Sequence, residues 1–330
     1  MIIDQYDRVH SYLRISLIER CNLRCTYCMP EEGIPLLPKS HIMRNEEIID
    51  IAREFVNLGV RKIRLTGGEP LMRKGLDFIL EGLQSLNVDL GMTTNAILLN
   101  QHWDLLKRTG CTALNISLDS LQAEKMNQLS RRNKFEIIMD NIHETIRRGF
   151  DVKINVVLLK GTNDDEIVDF IEWGRNLPIT VRFIEFMPFS GNKWDWNKDG
   201  ITLKDVLHKA ENYFGEENVE RVSDAPNDTS KNYRIKDSIG KFAVISTVSN
   251  PFCDTCNRIR LTADGKMKNC LFSNSETDIL GAYRSGQPLK EVILNGVWNK
   301  KQARGGMTQF EDFADPVQNQ ENRSMIRIGG

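Results

Sequence analysis

Six short apolar segments, separated by longer amphipathic stretches, constrain the fold of this 330-residue chain more than any other feature. The apolar segments lie near residues 12–18, 61–66, 89–94, 113–118, 152–159 and 180–187. Stretches such as 45–58 and 134–149 repeat apolar residues every three or four positions, which is typical of helices packed on one face. Strands that alternate with helices pair in parallel through right-handed crossovers. The pattern predicts an α/β fold, an incomplete (β/α)6 barrel of the TIM type over residues 1–217.

The last third of the chain has a different pattern. After about residue 217, short strand-like runs alternate with turns rich in Gly and Asn, and the strand–helix repeat stops. We therefore expect residues 218–330 to form a separate C-terminal α+β region.

The predicted strands carry apolar side chains on one face and polar side chains on the other, because successive residues of a strand point to opposite sides. The polar face includes Arg14, Arg64, Ser117 and Lys153. Helices should cover the apolar face, so the polar residues should point into the barrel interior, which Val, Ile and Leu ordinarily fill. A polar interior indicates a bound ligand. The sixth strand is ambiguous, since Arg182 and Glu185 have opposite parity.

Six of the seven cysteines fall into two close groups: Cys21, Cys25 and Cys28 near the N-terminus, and Cys253, Cys256 and Cys270 near the C-terminus. The N-terminus has neither the basic start nor the apolar segment of a signal peptide. We therefore expect a cytoplasmic protein, in which thiols stay reduced and metal ligation is the better explanation of both groups. The seventh, Cys111, matches neither group and is expected to be a core thiol.

Each group offers three thiolates with no fourth cysteine or histidine close by. A structural zinc ion is usually held by four ligands, whereas an iron–sulfur cluster can leave one iron open. The C-x3-C-x2-C spacing of the first group, directly after a strand, favours a cluster over zinc. For the C-x2-C-x13-C spacing of the second group, a small zinc ribbon remains an alternative.

The second cysteine group adjoins a predicted hairpin. A three-residue loop that ends at Gly265 in the left-handed conformation pairs Arg260 with Lys268. This register places Cys256 and Arg258 on the same face as Arg260. A three-thiolate site beside two arginines suits an anionic ligand that carries a coordinating base.

The first cysteine group, with Tyr27 before its last cysteine, resembles the signature of the radical S-adenosylmethionine superfamily. The resemblance implies that Cys21, Cys25 and Cys28 hold a [4Fe–4S] cluster whose open iron chelates S-adenosylmethionine. The cluster would reduce the sulfonium by one electron, and homolysis would yield a 5′-deoxyadenosyl radical. Residues 67–70, Gly-Gly-Glu-Pro, follow the second strand and resemble the patch that receives the methionine amine in this superfamily.

The two cysteine groups together are similar to those of the GTP 3′,8-cyclase family, radical lyases that begin molybdenum-cofactor biosynthesis. The likeness covers essentially the whole chain. It implies conversion of GTP to (8S)-3′,8-cyclo-7,8-dihydroguanosine 5′-triphosphate: the adenosyl radical takes the 3′ hydrogen, and C3′ attacks C8. It also implies a second [4Fe–4S] cluster on Cys253, Cys256 and Cys270, whose open iron binds the guanine.

The same resemblance gives roles to individual residues. Those that would contact S-adenosylmethionine are Tyr27, Gly68, Ser117 and Met187. Those that would contact GTP are Arg14, Arg64, Thr93, Lys153, Arg258, Ile259 and Arg260. Of these, Arg258 and Arg260 would be catalytic together with the first cysteine group. Strand parity alone also predicts that Arg14, Arg64 and Lys153 face the interior.

The resemblance further implies a homodimer, a low-potential electron donor, and a downstream cyclic pyranopterin monophosphate synthase that receives the product. The terminal Gly329-Gly330 would reach into the active site, as the double glycine of the family does. A formal net charge of −1 argues against nucleic-acid and membrane-surface partners, and no apolar run is long enough to cross a bilayer.

Two other hypotheses remain open. A radical S-adenosylmethionine enzyme with an auxiliary cluster could act on a peptide, although the basic interior would then have no explanation. A zinc-binding interaction module would contain zinc and no iron.

Overall fold

The structure, a computed structural model, describes residues 1–30, 32–189, 195–307, 312 and 322–329. Within these residues, twelve strands form one sheet. Their bounds are β1 Tyr12–Ser16, β2 Lys62–Thr66, β3 Asp89–Thr94, β4 Ala113–Ser117, β5 Asp151–Leu158, β6 Ile179–Glu185, β7 Val219–Val222, β8 Lys231–Ile235, β9 Lys241–Ile245, β10 Arg258–Leu261, β11 Lys266–Lys268 and β12 Thr277–Asp278.

The centre of the sheet is parallel. Strands β1 to β6 lie side by side in chain order, and each coincides with a segment predicted from the sequence. Two strands of the C-terminal region extend this parallel set, because β10 pairs with β1 and β9 pairs with β6. They cover edges of the predicted six-stranded arc that would otherwise expose unpaired backbone N–H and C=O groups. Antiparallel strands follow at both ends, β11 and β12 beyond β10, and β8 and β7 beyond β9.

Helices connect successive parallel strands in the first part of the chain and pack on the outer face of the sheet, whereas the last helix lines the inner cavity. Their bounds are α1 Asn45–Asn57, α2 Leu76–Gln84, α3 Trp103–Arg108, α4 Ala123–Ser130, α5 Phe135–Arg147, α6 Ile167–Gly174, α7 Trp196–Asp199, α8 Leu203–Phe214, α9 Ile279–Arg284, α10 Leu289–Trp298 and α11 Met325–Ile328. Helices α1 and α5 correspond to the amphipathic stretches predicted at 45–58 and 134–149.

The main core lies between the sheet and these helices. Leu13 and Ile15 of β1 are fully buried there together with Ile48 and Phe55 of α1. Because side chains alternate along a strand, Arg14 points to the opposite, inner face. The predicted arrangement of apolar residues outward and polar residues inward is confirmed.

Strand β6, which was ambiguous in the sequence, follows the same rule. Val181 and Phe183 are buried in the core, so Arg182 points to the interior. The carboxylate of Glu185 at the end of the strand accepts hydrogen bonds from the amides of Val248 (2.8 Å) and Ser249 (3.0 Å). Glu185 therefore holds the loop after β9 through hydrogen bonds. Its position in the strand does not indicate on which face of the sheet Arg182 lies.

The β10–β11 hairpin has the predicted register. Arg260 is opposite Lys268, and the amide of Thr262 donates to the carbonyl of Lys266 at 2.9 Å. Gly265 has a φ of +70°. Only glycine takes this conformation without strain, as the sequence pattern required.

The sheet is continuous across residue 217, since strands on either side of it pair directly. The division into regions 1–217 and 218–330 stays a prediction. In the part of the chain that the structure describes, no helix has the length and apolarity needed to span a membrane.

Candidate active site

The inner face of the parallel sheet borders a cavity of about 410 Å³. Both cysteine groups line it, as do almost all other residues predicted to form the site. The predicted residues found in its wall are Cys21, Cys25, Cys28, Cys253, Cys256, Cys270, Tyr27, Gly68, Ser117, Met187, Arg14, Arg64, Thr93, Lys153, Arg258 and Arg260. The fold therefore brings motifs from both ends of the sequence to one place.

Ile259 is the exception among the predicted site residues. Its side chain is fully buried in the core, whereas its neighbours Arg258 and Arg260 line the cavity. Strand alternation turns it to the opposite face. The Ile259 side chain therefore does not face the cavity, and the predicted contact of this residue with GTP stays a prediction that only its backbone can fulfil.

The first cysteine group lies in the loop after β1. The loop turns tightly, with the amide of Cys28 donating to the carbonyl of Cys25 at 3.0 Å. Sγ of Cys21 accepts hydrogen bonds from the amide of Leu23 (3.4 Å) and Nδ2 of Asn95 (3.7 Å). Burial raises the pKa of Cys21 to about 11. Burial and then the charge of a neighbouring thiolate raise the pKa of Cys25 and of Cys28. The three sulfurs are thus close enough to influence one another.

Gly67 and Gly68 form the turn after β2. The φ of Gly67 is +149°, and a Cβ on Gly68 would lie 2.2 Å from the carbonyl oxygen of Arg20. The amide of Gly68 donates to the carbonyl of Ile18 at 2.7 Å, and the amide of Glu69 to that of Arg20 at 2.8 Å. The glycines let this turn pack directly against the chain that enters the first cysteine group.

Two buried carboxyl groups stand beside the first cysteine group. Asp119 accepts a hydrogen bond from the hydroxyl of Tyr27 at 2.6 Å, and Glu69 accepts one from Oγ1 of Thr94 at 2.7 Å. Despite these bonds, burial raises the pKa of Asp119 to about 6 and that of Glu69 to about 7. Asp119 lines the cavity and offers an acceptor to a ligand with cationic groups, whereas Glu69 lies behind the wall.

The second cysteine group has cationic neighbours instead. Nζ of Lys300 donates to Sγ of Cys256 at 3.3 Å, and the amide of Arg304 donates to Sγ of Cys253 at 3.4 Å. Burial raises the pKa of the Cys256 thiol, but the charge of Lys300 and hydrogen bonds outweigh it, so the net pKa lies below its usual value. Burial keeps the pKa of Cys253 above its usual value.

The donor chemistry of both groups fits an iron–sulfur cluster, since three thiolates leave one of four irons open. Among the residues that the structure describes, no three His, Cys, Asp or Glu side chains are arranged as ligands of a single ion. The thiolates of a [4Fe–4S] cluster each bind a different iron, so they do not need to converge on one point.

The strands of the inner face make the cavity wall basic. Arg182 and Lys62 join the predicted Arg14, Arg64 and Lys153 there. Burial, together with neighbouring arginines, lowers the pKa of Arg14 to about 10 and that of Arg182 to about 9. Nε of Arg182 has no hydrogen-bond partner among the described residues. Buried cations need compensating charge, so this wall suits a polyanion.

Tyr12, at the start of β1, lies among these cations. Its hydroxyl accepts a hydrogen bond from Nε of Arg64 at 2.8 Å. Its ring faces the guanidinium of Arg258 (5.4 Å to the centroid) and Nζ of Lys62 (5.5 Å). Burial raises the pKa of Tyr12, but the charges of Arg64 and Arg14 outweigh it and bring the pKa to about 8.

Sequence reasoning gave no role to several residues of the wall, among them Arg182, Tyr12 and Asp119. Arg182 could have been assigned from the sequence, because its neighbours Val181 and Phe183 are apolar. Apolar neighbours in a strand point to the core, so the residue between them points to the inner face. Tyr12 lies two residues before Arg14 in β1, so its side chain points to the same inner face. Asp119 lies two residues after the end of β4, but its hydrogen bonds depend on tertiary contacts that no local pattern reveals.

Comparison with known proteins agrees with this geometry. Residues 15–174 match the model of the Radical SAM superfamily, and residues 179–305 match that of Molybdenum Cofactor Synthesis C. The chain is 45% identical over 336 residues to the mitochondrial GTP 3′,8-cyclase of Arabidopsis thaliana, covering 100% of this chain and 84% of that one. It is 39% identical over 335 residues to the GTP 3′,8-cyclase of Listeria monocytogenes, covering 100% and 99%. The chain belongs to the GTP 3′,8-cyclase family.

Membership of this radical S-adenosylmethionine family implies an enzyme that uses a [4Fe–4S] cluster and S-adenosylmethionine. Human molybdenum cofactor biosynthesis protein 1 is 43% identical over 333 residues, and this chain spans only 51% of its length. Among solved structures, Streptococcus suis SuiB bound to S-adenosylmethionine has a TM-score of 0.62 at 16% identity, over 97% of this chain and 77% of that chain. This likeness shows a shared fold.

The C-terminal tail of this cyclase-family chain reaches the second cysteine side of the cavity. Nη1 of Arg260 donates to the carbonyl of Gly329 at 2.7 Å. A Cβ on Gly329 would lie 2.4 Å from Oγ1 of Thr66, so the tail also packs against the end of β2. Gly330 lies outside the described residues.

Proposed function

We propose that this protein is a GTP 3′,8-cyclase, which converts GTP to (8S)-3′,8-cyclo-7,8-dihydroguanosine 5′-triphosphate in the first step of molybdopterin biosynthesis. The observation that carries the proposal is a cavity that two three-cysteine groups line together with arginines and lysines. A radical source, a site for the base and a site for the triphosphate must be held at fixed distances for such a reaction.

The first cysteine group is proposed to hold the cluster that binds and cleaves S-adenosylmethionine. The wall residues that would border this cofactor are Tyr27, Gly68, Ser117 and Met187. When bound, S-adenosylmethionine supplies the radical chemistry that removes the 3′ hydrogen of GTP. The carboxyl group of Asp119 in the wall would favour the positive charges of this cofactor, and it accepts a hydrogen bond from the hydroxyl of Tyr27.

The second cysteine group is proposed to hold another [4Fe–4S] cluster, with an open iron for the guanine. Lys300 and the Arg304 amide donate hydrogen bonds to its sulfurs, as expected for thiolates. Arg258 and Arg260 stand next to this group on β10. Their charge would stabilise the electron density that builds up on the base when C8 is attacked.

The triphosphate is proposed to lie against the basic strand residues. Guanidinium groups form paired hydrogen bonds with phosphate oxygens, so Arg14 and Arg182 are suited to this role together with Lys153. Arg64 would contribute mainly its charge, because its Nε and Nη1 already donate to Tyr12 and to the carbonyl of Met92. Thr93 lies on the same wall, and its Oγ1 has no hydrogen-bond partner among the described residues. A tetra-anionic ligand would offset the mutual repulsion of these cations.

The proposed partners follow from the family. They are a second copy of the chain in a homodimer, a low-potential electron donor, and the synthase that converts the cyclised nucleotide to cyclic pyranopterin monophosphate. Six reduced thiolates also favour the cytoplasm as the location.

The proposal is tested by anaerobic reconstitution with iron and sulfide, followed by incubation with S-adenosylmethionine, dithionite and GTP. We expect 5′-deoxyadenosine to form faster with GTP than without it, together with a cyclised nucleotide of the same mass as GTP. Formation of 5′-deoxyadenosine that is no faster with GTP would contradict the proposal. Acceleration by a peptide in place of GTP would indicate the other class of radical enzyme.

A further inference from the structure

The first ten residues form a turn with a few fully buried side chains, to which the proposed reaction gives no role. Ile3 and Val9 are joined by an antiparallel bridge, and the side chains of Asp4 and His10 are fully buried. One carboxylate oxygen of Asp4 accepts hydrogen bonds from Nε of Arg8 at 2.7 Å and Nε2 of His10 at 2.9 Å. The turn therefore orients the Arg8 guanidinium with little freedom.

Arg8 uses its other nitrogens to bind the backbone next to the second cysteine group. Nη1 donates to the carbonyls of Cys253 at 2.9 Å and Gln302 at 2.6 Å, and Nη2 donates to the carbonyl of Lys301 at 2.9 Å. Nε2 of Gln5 donates to the carbonyl of Lys300 at 3.0 Å. Three successive carbonyls of segment 300–302 are thus held by the N-terminal turn, and one arginine ties that segment to a cysteine of the group.

Segment 300–304 also supplies both hydrogen bonds to the sulfurs. The ammonium of Lys300, which is 2% exposed, donates to Sγ of Cys256 and to the carbonyl of Arg258 at 3.1 Å. The amide of Arg304 donates to Sγ of Cys253. An error in the position of this segment would remove both donors together.

We propose that Arg8 is a positioning residue for the second cluster, and that it acts through Lys300. By fixing segment 300–302 against Cys253, it holds the Lys300 ammonium at Cys256 and keeps the cluster's reduction potential higher than it would otherwise be. The inference rests on the proposed second cluster. It adds that residues at the N-terminus hold the hydrogen-bond donors of this C-terminal cluster in place.

The physical basis is that hydrogen bonds and positive charge next to ligating sulfurs favour the reduced, more negative state of a cluster. Lys300 contributes both at one sulfur, in a nearly water-free setting where a charge acts strongly. Its side chain is long and flexible, and its orientation depends on the position of its backbone. Arg8 supplies that position by binding carbonyls on the segment and on the cysteine loop.

The test uses the full chain reconstituted anaerobically, as wild type, Lys300→Met, Arg8→Lys and the double variant. Iron per chain and electron paramagnetic resonance, recorded during a redox titration, report on each cluster separately. In Lys300→Met we expect roughly eight irons per chain as in wild type, an unchanged potential for the S-adenosylmethionine cluster, and a more negative potential for the second cluster. Arg8→Lys should shift the second cluster in the same direction by a smaller amount.

The double variant tests whether Arg8 acts through Lys300. Once Lys300 is Met, Arg8→Lys should cause little further shift, because the group that it positions is gone. Shifts that add fully in the double variant would overturn the inference, as would an unshifted second cluster in Lys300→Met. Lys300→Met removes the charge and leaves Arg8 intact, so it stays informative if Arg8→Lys folds poorly.

Arg284→Met is the matched control. Arg284 also binds a carboxylate, that of Glu47 at 2.9 Å, and a backbone carbonyl, that of Ser40 at 2.6 Å, but it does not line the cavity. Both clusters should keep the wild-type potentials in this variant. Wild-type protein with only one cluster would refute the two-cluster function itself. Wild type with two clusters and variants without a shift would refute only the role of Arg8.

Discussion

The two cysteine groups present the same number of thiolates to the same cavity in opposite electrostatic settings. The first stands beside the carboxyls of Asp119 and Glu69, whose pKa values burial raises to about 6 and about 7. The second stands beside Lys300 and two arginines, and its Cys256 has a lowered pKa because the charge of Lys300 outweighs burial. In the proposed function the shared three-thiolate motif sets the kind of metal centre, and the neighbouring charges select the ligand.

The two groups also differ in how they are built. The first is a single loop after β1, which local backbone hydrogen bonds, the glycine turn after β2 and the carbonyls of Leu129 and Ser130 at the end of α4 hold in place. The second combines two loops on either side of a hairpin with segment 300–304 and the N-terminal turn. Local sequence is sufficient to recognise the first, but the second depends on contacts between the ends of the chain.

The largest expected difference between the groups is in the cleavage of S-adenosylmethionine. In Cys25→Ala, 5′-deoxyadenosine formation should fall to background with or without GTP, because the electron-donating cluster is lost. In Cys256→Ala, slow cleavage should persist without any cyclised nucleotide, and iron should drop to roughly four per chain. Product analysis by chromatography and iron assays check both.

Cys111→Ala is the control for these cysteine variants. Cys111 is fully buried in the core, remote in sequence from both groups, and it should leave iron content and turnover at wild-type levels. If Cys256→Ala still formed the cyclised nucleotide, the proposed role of the second cysteine group in binding the guanine would be wrong.

Stability should respond to pH in opposite ways on the two sides. Burial, then the charge of Lys300, lowers the pKa of His10 from 6.5 to about 4. Between these two pKa values the unfolded chain binds more protons than the folded chain. The free energy of unfolding should therefore fall by about 3 kcal/mol as pH is lowered from 6.5 to about 4. Asp119, with its pKa raised from 3.8 to about 6, binds more protons when folded and should cost stability as pH rises through that range.

Denaturant unfolding of cluster-free protein at several pH values between 4 and 6.5 checks this contrast. Relative to wild type, His10→Gln should gain stability as pH falls, and Asp119→Asn should gain it as pH rises. Parallel trends in the two variants would show that the assigned charge states are wrong.

Substitutions in the basic wall should weaken the binding of GTP and leave the binding of S-adenosylmethionine unchanged. Arg182→Ala removes a buried guanidinium proposed to bind the triphosphate, so KM for GTP should rise roughly 30-fold, equivalent to about 2 kcal/mol. KM for S-adenosylmethionine should stay within about twofold of wild type. Steady-state kinetics with each substrate varied in turn measure both values.

Arg175→Ala is a fitting control, because Arg175 pairs with Glu172 on the outer side of the protein and does not line the cavity. Equal increases in KM for GTP and for S-adenosylmethionine in Arg182→Ala would mean a general distortion of the site.

The smallest expected effect concerns the positioning of the arginines. Tyr12→Phe keeps the aromatic face under Arg258 but removes the hydroxyl that accepts a hydrogen bond from Nε of Arg64. We expect KM for GTP to rise about fivefold, equivalent to about 1 kcal/mol, with kcat little changed. Tyr213→Phe, at an exposed position, should behave as wild type. A fall in kcat without a change in KM would show that Tyr12 acts on the chemistry instead.

Much of the fold and of the site followed from local patterns. The six central strands, their inward arginines and the β10–β11 register were predictable because side-chain alternation and turn geometry depend on neighbouring residues. The spacing within each cysteine group was likewise sufficient to predict metal ligation. For Ile259 the alternation of side chains limits the predicted GTP contact to the backbone, since its side chain lies on the opposite face from Arg258 and Arg260.

The sequence by itself determined the order of strands and helices, the inner polar face and the two sets of thiolates. Only the tertiary structure decided that β10 would lie beside β1, that Arg182 would join the basic wall, and that Arg8 would bind the carbonyl of Cys253 from 245 residues away. Local propensity acts over a few residues. Contacts between distant segments form only when the whole sheet is assembled, because each must offset the entropy of closing the chain between them.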